Sequence, residues 1–212
     1  MKYLFVGAHY DDVEISCGGT LLRLVDEGNE VYLVIMTNGA LSRKGSADER
    51  KTEQHYAVRF SQIKKLFTLE HEDGAVTSNG KTIASFSKIL NEVDPDVVFT
   101  HYPSDSHQDH RNTAEIVKSA TRGSYSLVYY NSYSSIGFMA NLYVDITPYI
   151  EKKEKMLKLF ESQVSKYKER GVDLIEKSNL IAKLNGYECN FTYAEGFAIE
   201  NYFVKKEIKN GN

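Results

Sequence analysis

An α/β fold, a Rossmann-like and mostly parallel sheet flanked by helices with its active site at the carboxyl ends of the strands, is the architecture this sequence predicts. Three observations carry that reading. Short β-branched runs alternate with helical patterns through the first half of the chain, the rhythm of βαβ units. Two histidine-bearing segments each begin where a predicted strand stops. The 212 residues, 42% hydrophobic and 26% charged, have the size and composition of one globular domain, read here as residues 1–212.

The elements follow in order. Tyr3 to Gly7 reads as a buried first strand. Gly18-Gly19-Thr20 leads into Leu21, Leu22, Leu24 and Val25 at helical spacing, ending at Gly28. Glu30 to Thr37 is the second strand, closed by the turn residues Asn38-Gly39. From Ser46 to about Phe67 the spacing of Tyr56, Val58, Phe60, Ile63 and Leu66 favours a helix, with a short strand near Phe67 to Leu69 and a turn at Asp73-Gly74. Lys81 to Val93 is amphipathic and stops before Pro95, which disfavours helix in the residue ahead of it. Asp96 to Thr100 is a strong interior strand, and His110 to Ala120 resumes helical spacing. Ser126 to Tyr130 and Leu142 to Ile146 are later strands. At Thr147-Pro148 threonine can cap and proline suits the first helical position, opening a helix that carries Ile150, Met156, Leu157, Phe160, Val164 and Tyr167. A further helix runs from about Val172 to Leu184, and Phe191 to Val204 is strand-like.

Composition removes several function classes. A formal charge of −3, from 26 basic and 29 acidic residues, offers no electrostatic footprint for nucleic acid. No stretch approaches the roughly 20 apolar residues of a membrane span, and the start of the chain lacks a signal-peptide core, so a cytoplasmic location is expected. The two cysteines, Cys17 and Cys189, form no C-x-x-C pair, so any metal site must draw on histidine and carboxylate.

The chemistry concentrates in two segments: Ala8-His9-Tyr10-Asp11-Asp12-Val13-Glu14 after the first strand, and Thr100 to His110, with His101, His107 and His110, after the Asp96 to Thr100 strand. In open α/β sheets, ligands bind in the crevice outside the carboxyl ends of strands, where both segments can converge. Together they supply imidazoles and carboxylates, the donor set of a catalytic zinc site with one position left for water; magnesium and calcium prefer oxygen alone. Alone, a histidine beside a strand is usually structural and an Asp-Asp pair usually a helix cap with a solvated neighbour. Their joint occurrence at equivalent ends of two strands points to a metal.

The first segment with its tail, A-H-Y-D-D-V-E-I-S-C-G-G-T-L, resembles the A-H-P-D-D-V-E-x-G-x-G-G-T signature of the PIG-L (LmbE-like) zinc-dependent N-acetylglucosamine deacetylases. The second, T-H-Y-P-S-D-S-H-Q-D-H-R-N-T, is similar to that family's T-H-x-P-x-D-x-H-P-D-H-R block. Weaker matches are Thr37-Asn38-Gly39, Arg50 to Glu53, Lys158 to Gln163 and Tyr193 to Phe197. The resemblance implies one zinc ion per chain on His9, Asp12 and His110, with Asp11 as general base. It implies that a protonated His107 polarises the acetyl carbonyl or protonates the leaving amine, and that Asp109 hydrogen-bonds His107 and holds its tautomer. Arg50 would meet a sugar hydroxyl or phosphate, with Asn38 and Glu195 as weaker substrate contacts. The implied partner is a small amino-sugar substrate, with no nucleic acid and no membrane span; homo-oligomerisation stays open. Tyr10 and Gln108 stand where the family has proline, and Ser16 where it commonly has glycine, changes expected to loosen loops without removing a ligand.

The tyrosines Tyr125, Tyr129, Tyr130, Tyr133, Tyr143 and Tyr149 suit strands and read as mostly structural, and His101 reads as structural support. His55 and His71 have no assigned role. Competing readings are a zinc hydrolase of another small acyl-amide in antibiotic or polysaccharide assembly, and a non-catalytic zinc or sugar-binding module. The spare carboxylate of Asp11 argues against the second. A dinucleotide-dependent oxidoreductase is poorly supported, since G-x-G-x-x-G is missing after the first strand.

Overall fold

The computed structural model describes residues 1–41 and 45–203. Five parallel strands form its centre: β1 (Lys2–Gly7), β2 (Glu30–Thr37), β3 (Lys65–His71), β4 (Val97–His101) and β5 (Ser126–Tyr130). Two antiparallel strands, β6 (Leu142–Asp145) and β7 (Ala194–Asn201), extend the sheet, giving the order β3-β2-β1-β4-β5-β7-β6. Alternation along β1 shows why both sheet faces are covered. Leu4 and Val6 pack with Phe86, Ile89, Leu90, Ile116 and Val117 of helices α3 (Gly80–Val93) and α4 (Gln108–Thr121), whereas Phe5 packs with Val13, Cys17 and Leu21 of helix α1 (Asp12–Asp26) on the other side.

The chain winds outward from β1 through β2 to β3, then returns to place β4 on the other side of β1. That reversal opens a crevice at the carboxyl ends of β1 and β4, the position where such sheets bind ligands. The two histidine segments leave the sheet at these ends.

Several boundaries depart from the expected ones for identifiable reasons. Helix α1 starts at Asp12, ahead of Gly18, and bends at Cys17, whose φ of −143° and ψ of 25° are not helical. Gly18 and Gly19 lie inside it because the packing is close: a Cβ on Gly18 would come 2.6 Å from Met156 Cε, and one on Gly19 would come 2.8 Å from Ile146 Cδ1. Helix α2 (Ala47–Ser61) has the expected start, with Ser46 and Glu49 forming a reciprocal capping box. It ends early because Gln62 adopts the left-handed conformation (φ 58°), and the chain then enters β3 beside β2. The single helix expected after Thr147-Pro148 is a 3-10 turn at Thr147–Tyr149 followed by two helices, α5 (Ile150–Leu157) and α6 (Glu161–Glu169). Among the described residues the last helix, α7, spans Leu174–Cys189. Within the strand expected from Phe191, β7 is the paired part, and Val204 lies outside the described residues.

Among the described residues no helix is long and apolar enough to cross a membrane.

Candidate active site

Strand β1 ends at Gly7, and the chain turns so sharply that Asp11 takes the left-handed conformation, φ 85°, as the N-cap of α1 without making a side-chain cap bond. A non-glycine residue in that region is strained, and such strain gathers at functional sites. The turn places His9, Asp11 and Asp12 at the floor of a cavity of about 770 Å³. Strand β4 delivers the other half: His107 is the N-cap of α4, and His110 lies one turn further along, with both rings lining the same cavity.

These side chains form a close cluster. Asp12 Oδ2 lies 3.4 Å from His9 Nδ1, and Asp12 Oδ1 lies 3.6 Å from His110 Nε2. His9 and His107 ring centroids are 4.8 Å apart, and those of His107 and His110 are 4.5 Å apart. Among the described residues, three groups hold donor atoms within 4.8 Å of one another: His9 with His107 and His110; Asp12 with His101 and His110; and His9 with Asp73 and Asp109.

Charge at the floor favours a cation. Burial works against the charged form of His9, yet hydrogen bonds to Asp109, Asp12 and Asp73 raise its pKa well above the usual imidazole value. His110 is likewise opposed by burial but lifted to about 9 by Asp12 and Asp105. Although burial would raise the Asp12 carboxyl, His110 and His101 hold it well below the usual carboxylate range. A floor that draws protons onto two buried imidazoles is one that a metal ion can occupy in their place. The donor types and their convergence therefore fit a zinc ion.

Asp11 is different. Burial pushes its carboxyl up to about 6, with Arg50 pulling it down and Asp12 adding to the rise. Its neighbours are Arg50 Nη2, 3.4 Å from Oδ1, and the Gln54 side chain, which accepts the Asp11 N–H at 3.3 Å.

Residues 4–121 match the family model of PIG-L, GlcNAc-PI de-N-acetylase, over more than half of the chain. The chain belongs to the PIG-L family. It is 33% identical over 113 residues to an uncharacterized deacetylase, YaiS, of Escherichia coli K12, a match covering 50% of this chain and 60% of that relative. Among solved structures, N,N'-diacetylchitobiose deacetylase from Pyrococcus horikoshii superposes with a TM-score of 0.78 at 27% identity, covering 93% of this chain and 83% of that one. The conserved protein TT1542 from Thermus thermophilus shares the fold, with a TM-score of 0.84 at 23% identity and 99% of both chains covered.

Of the residues given roles by the resemblance, the geometry brings His9, Asp12, His110, Asp11 and His107 together and adds three details. First, the Asp109 carboxylate does not serve His107. It hydrogen-bonds His9 Nε2 at 3.1 Å and accepts from the Gly74 and Val76 N–H groups at 2.7 and 3.1 Å. Its backbone N–H instead donates to His107 Nδ1 at 3.2 Å. Second, that bond makes Nδ1 an acceptor and leaves Nε2 to carry the proton, while burial and the neighbouring His110 and His9 lower the His107 pKa. The bond leaves the His107 Nε2–H free to act as a donor toward the cavity. Third, the Arg50 guanidinium lines the cavity but donates to Gly39 O and Tyr10 O, each at 3.0 Å, besides facing Asp11. It ties together the loops after β1 and β2 beside Asp11.

Sequence reasoning missed Asp105 and Asp73. Asp105 faces His110 Nδ1 at 3.2 Å, accepts the His107 N–H at 2.8 Å and hydrogen-bonds Ser132. Asp73, read only as a turn residue, lies 3.1 Å from His9 Nε2. The spacing Asp105-x-His107-x-Asp109-His110 was a signal for the first; the second is visible only once β3 lies beside β2. Gln108, in the place of a family proline, hydrogen-bonds Gly74 O in the loop that carries Asp73. His101 backs the site, accepting the Ala8 N–H at 3.0 Å and stacking on His110 at 4.0 Å. Of the two weaker substrate candidates, Glu195 is buried in an ion pair with Lys153, away from the cavity lining.

Proposed function

We propose that this chain is a zinc-dependent N-deacetylase that hydrolyses the acetamide of an N-acetylglucosamine-type amino sugar or its conjugate. The observation that carries the reading is the position of Asp11: a buried carboxyl poised near 6, adjacent to the donor set of His9, Asp12 and His110. A site that only bound metal has no use for a strained, spare carboxylate.

His9, Asp12 and His110 would hold the metal. When bound, zinc supplies Lewis acidity that brings the ionisation of water down to about pH 7. The chain's own groups do the rest. Asp11 accepts the proton of the attacking water, and its raised pKa lets it hand that proton on to the leaving amine. His107, held by its cap bond, presents Nε2–H to the acetyl oxygen as charge develops there. Arg50 keeps Asp11 turned into the cavity, and Asp109 and Asp105 orient His9 and His110 from behind. A cytoplasmic location fits the two unpaired cysteines.

The test couples metal analysis to acetate release from free, glycosidic, lipid-linked and nucleotide-linked N-acetylglucosamine. Expected are one zinc ion per chain, acetate from at least one substrate, loss of activity on chelation and its return with zinc. Absence of acetate from all four would overturn the reading. Asp105→Asn is expected to weaken zinc affinity by about 10- to 100-fold, measured by chelator competition, because His110 loses its carboxylate partner. Unchanged affinity would show that Asp105 serves the loop alone.

A further inference from the structure

The cavity has a second charged wall, opposite in sign to its floor. Gln163, Lys166, Tyr167 and Arg170 recur at helical spacing along α6 and its C-cap and line the opening, and Lys177 joins them from the first turns of α7. Among the described residues, none of Lys166, Arg170 and Lys177 is in an ion pair; their salt-bridging counterparts, such as Lys51, Lys64 and Lys152, lie on other surfaces.

This arrangement is unfavourable in the free protein. Lys166 and Arg170 are four apart on one helix, where like charges repel. Lys177 sits near the start of α7, where the helix dipole disfavours a cation. Burial lowers the Lys166 pKa, Asp11 and Asp12 oppose the fall, and Arg50 and Arg170 add to it. The group is also held in place. Lys166 Nζ donates to Gln163 Oε1 at 3.2 Å, and Lys177 Nζ lies 4.0 Å from the Tyr133 ring centroid. Glu53 of α2 anchors the start of α6, accepting the Ser162 N–H at 2.7 Å and its hydroxyl at 2.6 Å. Three cations thus line one side of a cavity whose carboxylates, Asp11 and Asp12, lie at its floor, and among the described residues none of the three is in an ion pair.

We propose that Lys166, Arg170 and Lys177 form a subsite for an anionic group, phosphate or carboxylate, carried by the substrate at a distance from its acetamide. The inference rests on the deacetylase reading for the identity of the ligand's other end. All three residues lie outside residues 4–121, so the family match does not supply it. The metal-binding floor would take the acetamide, Tyr133 and Tyr167 would flank the sugar, and the cations would take the charge.

The test compares kcat/KM of the zinc-loaded enzyme for N-acetylglucosamine, N-acetylglucosamine 1-phosphate and N-acetylmuramic acid; the second and third arms separate phosphate from carboxylate. At least one anionic sugar should be preferred over the neutral one by about tenfold or more, the effect of a charge-assisted hydrogen bond. The preference should reside in KM and shrink as salt rises. In K166Q/R170Q the ratio of anionic to neutral should fall toward one; because it is taken within one protein, partial misfolding cannot imitate it. A ratio near one in the unaltered protein, or a ratio that survives in the double variant, overturns the subsite. If no sugar releases acetate, the deacetylase reading fails separately. Calorimetry with glucose 1-phosphate against glucose then decides the subsite: binding of the phosphate that is about tenfold weaker in K166Q/R170Q supports it, and equal binding refutes it.

Discussion

Asp11→Asn is expected to lower kcat/KM for acetate release by about 10²- to 10⁴-fold, the range for loss of a general acid–base group, while zinc content stays at one per chain. Asparagine has nearly the same shape, tolerates the left-handed conformation at this position and keeps a partner for Arg50, so the metal cluster should persist. The unaltered protein should lose activity as pH falls through about 6, where Asp11 takes up a proton and can no longer accept one from water. The variant should lack that acidic limb. Stability should move the opposite way. The folded-state pKa of Asp11 lies above its unfolded value, so ionisation penalises folding above about pH 6, and the penalty disappears as pH falls below about 4. Metal-free Asp11→Asn should therefore be more stable than the parent by roughly 2 to 3 kcal/mol at pH 8 and equal to it at pH 4. Denaturant melts at the two pH values check this. A variant that loses activity only in proportion to lost stability would mark Asp11 as structural.

Much of this site was legible because its residues are local in sequence. His9-x-Asp11-Asp12 and His107-x-Asp109-His110 each leave a recognisable strand, and the apolar runs of β1 and β4 say where those strands end. What could not be read depends on contacts between distant segments. Asp109 is two residues from His107, which suggested the wrong partner; the fold instead brings it to His9, 100 residues away. Arg50 looks like a surface helix residue until α2 packs beside the loops after β1 and β2 and buries it. Helical spacing through Ile63 and Leu66 carried the predicted α2 too far, because no glycine or proline marks the stop and the left-handed cap falls on Gln62. The antiparallel sense of β6 and β7 is likewise set by pairing across the sheet, which alternation alone does not encode.

Glu195→Ala should destabilise the fold strongly, on the scale of a broken buried ion pair. Its carboxylate and the Lys153 ammonium are both 3% exposed and 2.8 Å apart. The same carboxylate accepts the Gly19 and Thr20 N–H groups at 2.9 and 2.7 Å. Those two donors belong to the stretch just after Cys17, where α1 departs from helical geometry, so β7 supplies from across the sheet what the interrupted helix leaves unpaired. Removing Glu195 strands a buried cation together with two buried donors. Loss of one partner of a buried pair typically costs about 3–5 kcal/mol, which for a chain of this size lowers Tm by about 6–20 °C. Lys153→Met/Glu195→Gln should recover much of that loss, since it removes the stranded charge and leaves an amide oxygen facing the kink. The damage should reach the active site through α1, whose first turn carries Asp12: zinc binding should weaken in Glu195→Ala and return in the double variant. If the single variant unfolds within roughly 1 kcal/mol of the parent, the scale of an exposed ion pair, the pair does not support the kink, and the placement of Asp12 must be attributed instead to Gly18 and Gly19 packing against Met156 and Ile146.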